Sequence, residues 1–206
     1  MSISFPVGIK TALASIGPKQ RVYYPQAFGL SNWNFEATIN KEIVDLAQKM
    51  IVEQTGVNGT SVEEMLGTYE IKNNQRNVLS LSLLNYTYHF HAAHGMTYIK
   101  SLSFDLQKEV ICQLKDLFKP GSDYVGELSK LINTQIKQRN IPLIEDFTSI
   151  KPDQDFYIAD KTIVIYFQLY EFTPYVYGFP MFPISIYDIL DIIDENGPLG
   201  RLAENN

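Results

Sequence analysis

The chain is 206 residues long and 45% apolar, and its 17 basic against 23 acidic side chains leave a net charge of −6. That length suits one domain or two closely packed halves with a core that needs no staple. No Lys/Arg stripe forms, so the basic footprint of a nucleic-acid binder is missing and an anionic membrane surface is disfavoured. Cys112 is the only cysteine, which excludes an intrachain disulfide and a cysteine-based metal site. It follows Val110 and Ile111 and reads as a buried structural thiol. No run approaches the ~20 apolar residues of a membrane span. Met1 to Ala14 lacks the pattern of a signal peptide, so the sequence by itself points to the cytoplasm.

In chain order, residues 20–27 read as a strand, with Pro25 marking an edge or a strand end. Residues 34–54 predict the first helix. Phe35, Ile39, Ile43, Leu46 and Met50 make one apolar stripe; Asn32 or Asn34 caps its start and Gly56 its end. Residues 55–67 read as a loop. Its triplet Asn58-Gly59-Thr60, like Asn85-Tyr86-Thr87, matches a glycosylation pattern that we take as chance. Gly67 to Lys72 predicts a strand and Asn73-Asn74 a turn. Val78 to His91 predicts a long strand with a change of phase. Leu79, Leu81 and Leu83 share one face, whereas Leu84, Tyr86, Tyr88 and Phe90 share the other, which predicts a bulge or a change of partner near Leu83-Leu84. Thr97 to Gln107 is the next strand. Residues 122–138 predict the second helix, capped by Ser122 or Asp123, with Val125, Leu128, Ile132 and Ile136 inward.

The last third returns to strand. Phe156–Ala159 and Thr162–Leu169 flank an Asp160-Lys161 turn. An aromatic, proline-rich loop spans Tyr170 to Pro183. Ile184 to Leu190 gives a short strand and a helical turn, and Glu195 to Asn206 reads as a frayed tail. Helices separated by runs of strands predict an α+β fold, with antiparallel sheet flanked by two main helices. The chain reads as a single compact unit over 1–206, with approximate halves at 15–75 and 76–195.

These residues resemble a known family. Tyr86-Thr87-Tyr88, Ala92-Ala93-His94-Gly95, Ser103-Phe104-Asp105-Leu106 and Leu114-Lys115-Asp116-Leu117-Phe118 are similar to the sensor domain of anti-sigma-V (RsiV-like) proteins. The same domain accompanies the catalytic domain of PdaC-like peptidoglycan deacetylases. Asp155 to Asp160 followed by Ile165-Tyr166-Phe167, Tyr170 to Tyr175 with Gly178, and Tyr24-Pro25-Gln26 with Ile39-Asn40 extend the likeness over about residues 20–191. The resemblance implies two abutting α+β halves and an extracytoplasmic, non-catalytic domain. In the anti-sigma members it binds lysozyme as a signal. Gln107-Lys108-Glu109 departs from the glycine common in that turn of the family, and the chain shows no deacetylase domain.

Two constellations could carry chemistry. His89, His91 and His94 lie within six residues. His-x-His on a strand sets two rings on one face ~6–7 Å apart, and a third ring from the turn would complete a three-nitrogen zinc site and a hydrolase reading. We expect no metal there and no cofactor elsewhere, because no carboxylate beyond Asp105 and few second-shell acceptors are at hand. In the proline-rich loop, Tyr170, Phe172, Tyr175, Tyr177 and Phe179 are the candidate ligand-binding residues. Aromatic faces suit protein hot spots and sugars, and prolines hold an extended path; the same rings could cover one end of the sheet. The chain shows neither a Gly-x-Ser-x-Gly elbow nor a phosphate loop. The sequence therefore predicts a binding or sensing module, with a lysozyme-like protein or peptidoglycan glycan as partner and no nucleic acid. A structural domain of a larger assembly is the further alternative.

Overall fold

A computed structural model describes residues 5–56 and 61–204; Asn58-Gly59-Thr60 lies outside them. Its fold is α+β. Among the described residues, β1 (Gly8–Gly17), β2 (Gln20–Phe28), β3 (Val62–Gln75), β4 (Val78–His89), β5 (Met96–Asp105) and β6 (Val110–Ile111) form one sheet in that order, and β7 (Phe156–Ala159), β8 (Thr162–Tyr166) and β9 (Met181–Ser185) form a second. The helices are α1 (Trp33–Thr55), α2 (Tyr124–Gln138) and the short α3 (Pro198–Ala203). The sequence-drawn division at 75/76 lies inside the β3–β4 hairpin, whereas the two sheets divide between Ile111 and Phe156.

The main helices form as their stripes and caps dictate. Asn32 accepts hydrogen bonds from the backbone N–H groups of Asn34 and Phe35, and α1 buries Phe35, Ile39, Ile43, Ala47 and Met50 against the first sheet. Asp123 caps α2, which buries Leu128, Ile132 and Ile136. α1 also makes the crossover from β2 to β3, and these two strands pair in parallel over Gln20–Val22 and Met65–Gly67. A parallel neighbour needs such a crossover, so the sheet is not wholly antiparallel. Gly67 sits where a β-carbon would lie 2.4 Å from the Val22 side chain, so only glycine lets the two strands approach.

Several expectations are corrected. β1 was not foreseen: its weak Ala/Ser alternation belongs to an edge strand covered on one side only. β3 begins at Val62, within the expected loop, and runs through Asn73-Asn74. The turn falls instead at Arg76-Asn77, whose φ values of 52° and 56° match a two-residue hairpin. β9 starts at Met181, inside the expected proline-rich loop; Pro183 is tolerated because β9 is an edge strand.

The phase change in β4 has a different cause from the one predicted. β4 pairs with β5 without a break from Val78–Asp105 to Thr87–Met96. The two irregularities against β3 lie between Val62 and Glu64, opposite His89 and Tyr88, and between Ile71 and Asn73, opposite Leu81 and Ser80. β4 is instead buried on both faces at different points. Leu79, Leu81 and Leu83 pack under α1. On the other face Ser80 and Ser82 lie beneath the second sheet, and Leu84 packs on Tyr157, Val164 and Tyr166. Ser80 Oγ lies 2.9 Å from Ser103 Oγ, Ser82 Oγ lies 2.9 Å from Ser101 Oγ, and Ser101 Oγ lies 2.9 Å from the Tyr166 hydroxyl. The N–H of Ile158 on β7 donates to Ser80 Oγ at 3.0 Å. Asn85, in the second glycosylation triplet, is buried and donates to Gln54, which removes it as an acceptor site in the folded protein.

Through Glu204 the tail is ordered by packing rather than frayed. α3 buries Leu199 and Leu202. Arg201 reaches Asp105 at 2.6 Å and the backbone oxygen of Arg76 at 3.4 Å, while the Arg76 guanidinium donates back to the Arg201 carbonyl at 2.8 Å. Asp105 is 1% exposed, so Arg201→Ala would strand a buried carboxylate. We predict a loss of about 3–5 kcal/mol, read by denaturant unfolding, against less than about 1 kcal/mol for Lys130→Ala at an exposed ion pair.

Burial, with Asp105 adding to it, pushes the Cys112 thiol up to about 12. The native thiol therefore stays protonated while an unfolded one ionises near 9. The native state then holds more protons than the unfolded chain between those values, so this thiol's contribution to stability is lost as pH rises from about 9 towards about 12. Iodoacetamide at pH 8 should leave Cys112 unmodified in the native protein and label it once urea unfolds the chain; rapid native labelling would refute this burial.

Candidate functional site

Beyond its serine segment, β4 carries Tyr86 and Tyr88 and ends at His89, followed by a turn over residues 90–95. The turn is tight. Tyr88 donates from its hydroxyl to the Ala92 carbonyl at 3.1 Å, and a β-carbon at Gly95 would stand 2.2 Å from the Tyr86 ring. Glycine here lets the chain pass directly over that ring and leaves the Gly95 carbonyl available.

The proline-rich loop meets this turn. Pro174 precedes a short 3₁₀ turn, Tyr175–Tyr177, which Gly178 ends at φ 79°. Tyr175 donates from its hydroxyl to the Gly95 carbonyl at 3.1 Å. The His94 ring lies on Tyr175 with centroids 4.4 Å apart, and Tyr175 meets Tyr170 at 5.4 Å. His94 Nδ1 is 2.9 Å from the Gly95 carbonyl, and its Nε2 is 3.4 Å from the Tyr170 hydroxyl. Three rings from two segments far apart in the chain thus make one surface patch. Beside them Val176 is 92% exposed.

The five loop aromatics divide. Tyr170 and Tyr175 stand at the surface patch. Phe172 is core, edge-on to Phe167 at 4.5 Å and stacked near Phe182 at 6.2 Å. Tyr177 packs against the main core while its hydroxyl accepts from Arg139 at 3.2 Å. Phe179 packs on the small cluster of Ile99, Tyr157, Val164 and Tyr166. The three packed rings hold the loop, and the two others are displayed by it.

The histidines do not converge. β4 ends at His89, so His91 is not on a strand; its φ is 63° and its ring lies against Phe90 at 4.0 Å. His89 Nδ1 is 2.8 Å from Ser61 Oγ, and His94 faces the tyrosines. Among the described residues no group of three or more His, Cys, Asp or Glu side chains could hold a metal ion. His94 belongs with the aromatic loop, a pairing that no local sequence signal could reveal.

Residues 115–187 match a family described as a protein of unknown function, DUF3298. That match spans less than half of this chain. It is similar to the anti-sigma-V factor RsiV of Bacillus subtilis (strain 168), 29% identical over 175 residues that cover 78% of this chain and 60% of RsiV. It is also similar to the peptidoglycan-N-acetylmuramic acid deacetylase PdaC of the same organism, 24% identical over 143 residues that cover 66% of this chain and 30% of PdaC. The RsiV- and PdaC-like relationship expected from the sequence is therefore present, although the chain spans only those parts of the two relatives. A crystal structure of a DUF3298-family member from Bacteroides fragilis matches with a TM-score of 0.66 at 15% identity, covering 98% of each chain. One from Pseudomonas aeruginosa PAO1 matches at 0.62 and 14%, covering 99% of each. At such identities the likeness is one of fold. No described helix is long and apolar enough to cross a membrane.

Tyr170 has φ 65°, a left-handed conformation unusual for a bulky residue and costing ~1–3 kcal/mol. We predict that Tyr170→Gly leaves global stability unchanged or raises it by about 1 kcal/mol, because relief of strain offsets the lost ring contacts. Thermal unfolding checks this; a loss above about 2 kcal/mol would mean that the ring is structural rather than displayed.

Proposed function

We propose that this protein is a non-catalytic binding or sensing module whose ligand docks on the patch of His94, Tyr170 and Tyr175. The observation that carries the reading is the strained, exposed Tyr170, held in place by a loop anchored through Phe172, Tyr177 and Phe179. Backbone strain kept at a displayed aromatic is better explained by recognition than by packing. The likeness to an anti-sigma factor and to part of a deacetylase supports a sensing role outside the cytoplasm.

A protein of the lysozyme kind is the favoured ligand. The apolar Val176 and the tyrosines give an amphipathic surface of the type that anchors protein interfaces. A peptidoglycan glycan stacking on the same rings is the alternative outcome. The zinc hydrolase reading has no convergent ligand set among the described residues to support it.

Calorimetric titration of the purified chain with lysozyme, and separately with peptidoglycan fragments, tests this. The double variant Tyr170→Ala/Tyr175→Ala should weaken binding by at least about 2 kcal/mol, roughly 30-fold, while Phe5→Ala, outside the patch, changes nothing. Absence of binding to either ligand, or binding indifferent to the double variant, would reject the patch.

A further inference from the structure

A second concavity, of about 510 Å³, lies between the two sheets and away from the aromatic patch. Ser101 of β5, Phe156 of β7, Tyr124 of α2 and Pro152, Asp153 and Gln113 line it. Its volume falls within the ~300–1,000 Å³ of small-ligand sites.

Both strands that border it present unbonded backbone. In an antiparallel pair, successive residues turn N–H and C=O alternately toward and away from the partner strand. On β5, Ile99 points away from β4, because both its N–H and its C=O are bonded to the Gln168 side-chain amide, at 3.2 and 2.7 Å. Ser103 also points away, since its carbonyl accepts from the Cys112 N–H at 2.8 Å. Ser101, between them, must point the same way, and no described group closes its N–H or C=O. On β7, Tyr166 N–H donates to Asp155 O at 3.1 Å and Ile158 N–H donates outward to Ser80. The same alternation turns Phe156 N–H and C=O away from β8. Each strand thus offers one open donor–acceptor pair at the cleft, flanked on β5 by Ile99 with both groups bonded and by Ser103 with its carbonyl bonded.

The geometry points to this cleft as a binding site for an N-acetylated amino sugar. A secondary amide presents one donor and one acceptor, the complement of an open strand residue. An extended peptide is a poorer fit: pairing along β5 would require the alternate residues Ile99 or Ser103, ~6.6 Å away on either side, and Ile99 has both backbone groups taken while Ser103 has its carbonyl taken. One isolated acetamido group needs only Ser101 or Phe156. The rings of Tyr124 and Phe156 supply apolar walls suited to a sugar face or the acetyl methyl, and Asp153 and Gln113 at the rim can take hydroxyls. The site is separate from the patch of the proposed function, so the two stand or fall independently.

Amide-resolved NMR titration of the full chain with tri-N-acetylchitotriose tests it. The expected result is saturable shifts centred on the Ser101 and Phe156 amides at millimolar sugar. They should be absent with the de-N-acetylated trimer. Binding should be about ten-fold weaker or worse when the cleft is filled by Asp153→Trp or by Lys115→Trp, both exposed residues that line it, each variant being checked for an unchanged spectrum elsewhere. No shift at these amides, equal binding of both trimers, or shifts confined to the Tyr170–Tyr175 loop would each overturn the assignment.

Discussion

The fold depends on how closely β7 can approach the face of β4 and β5. Two stacked sheets normally stand ~10 Å apart, with side chains filling the gap. Here Ser80, Ser82, Ser101 and Ser103 line the approach on the first sheet, and the backbone N–H of Ile158 reaches Ser80 directly. Serine is small enough to admit a backbone and polar enough to satisfy it. A leucine at Ser80 would both hold β7 away and leave the Ile158 N–H buried without an acceptor, at a cost of ~1–3 kcal/mol for the orphaned group alone. The hydroxyl chain ends on Tyr166, 0% exposed, whose phenol burial pushes well above its usual range, so it stays a neutral partner for Ser101.

A second device recurs at the strand margins. Side-chain amides bracket a single residue's backbone as a neighbouring strand would. Asn40 takes both groups of Ala27 at 2.8 and 2.9 Å, Asn74 those of Val7 at 3.3 and 2.7 Å, and Gln168 those of Ile99. Each bracket ties a strand to an element distant in sequence without adding a strand. Open edges invite non-native pairing, and an amide closes one residue's worth while allowing the chain to turn away. This explains why β5 can be largely uncovered beyond β6 and yet bordered by the second sheet.

The sequence made legible what is set within a turn or two of chain. The stripes of α1 and α2, the caps at Asn32 and Asp123, and the Asp160-Lys161 hairpin are local, and the structure contains them. What escaped depends on partners far away. α3 lies in a tail whose composition resembles fraying, and it is held by Arg201 on Asp105, 96 residues earlier. The pattern of β4 was visible but ambiguous, because period-two alternation reports which positions are buried and not what buries them. His94 joined Tyr170 and Tyr175 only when the Gly95 carbonyl met the Tyr175 hydroxyl, a contact no spacing rule encodes. The family resemblance brought in the fold at large, and left these contacts to be found.

The arrangement of the aromatic patch follows from the same division of labour. A loop of this composition, left free, would lose much conformational entropy on meeting a ligand. Here Phe172 is locked among Phe147, Phe167 and Phe182, and Lys151 pairs with Glu171 at 2.8 Å, an ion pair that raises the lysine above its ordinary range. Glu171 also accepts from the Gln168 N–H at 2.9 Å, so Gln168 and Glu171, which bracket the Leu169-Tyr170 segment, are tied to each other. With its neighbours held and Tyr175 hydrogen-bonded to the turn below, Tyr170 can be kept left-handed without a glycine. The cost of ordering is then met in folding rather than in binding, which is the condition under which a few displayed rings can dominate an interface.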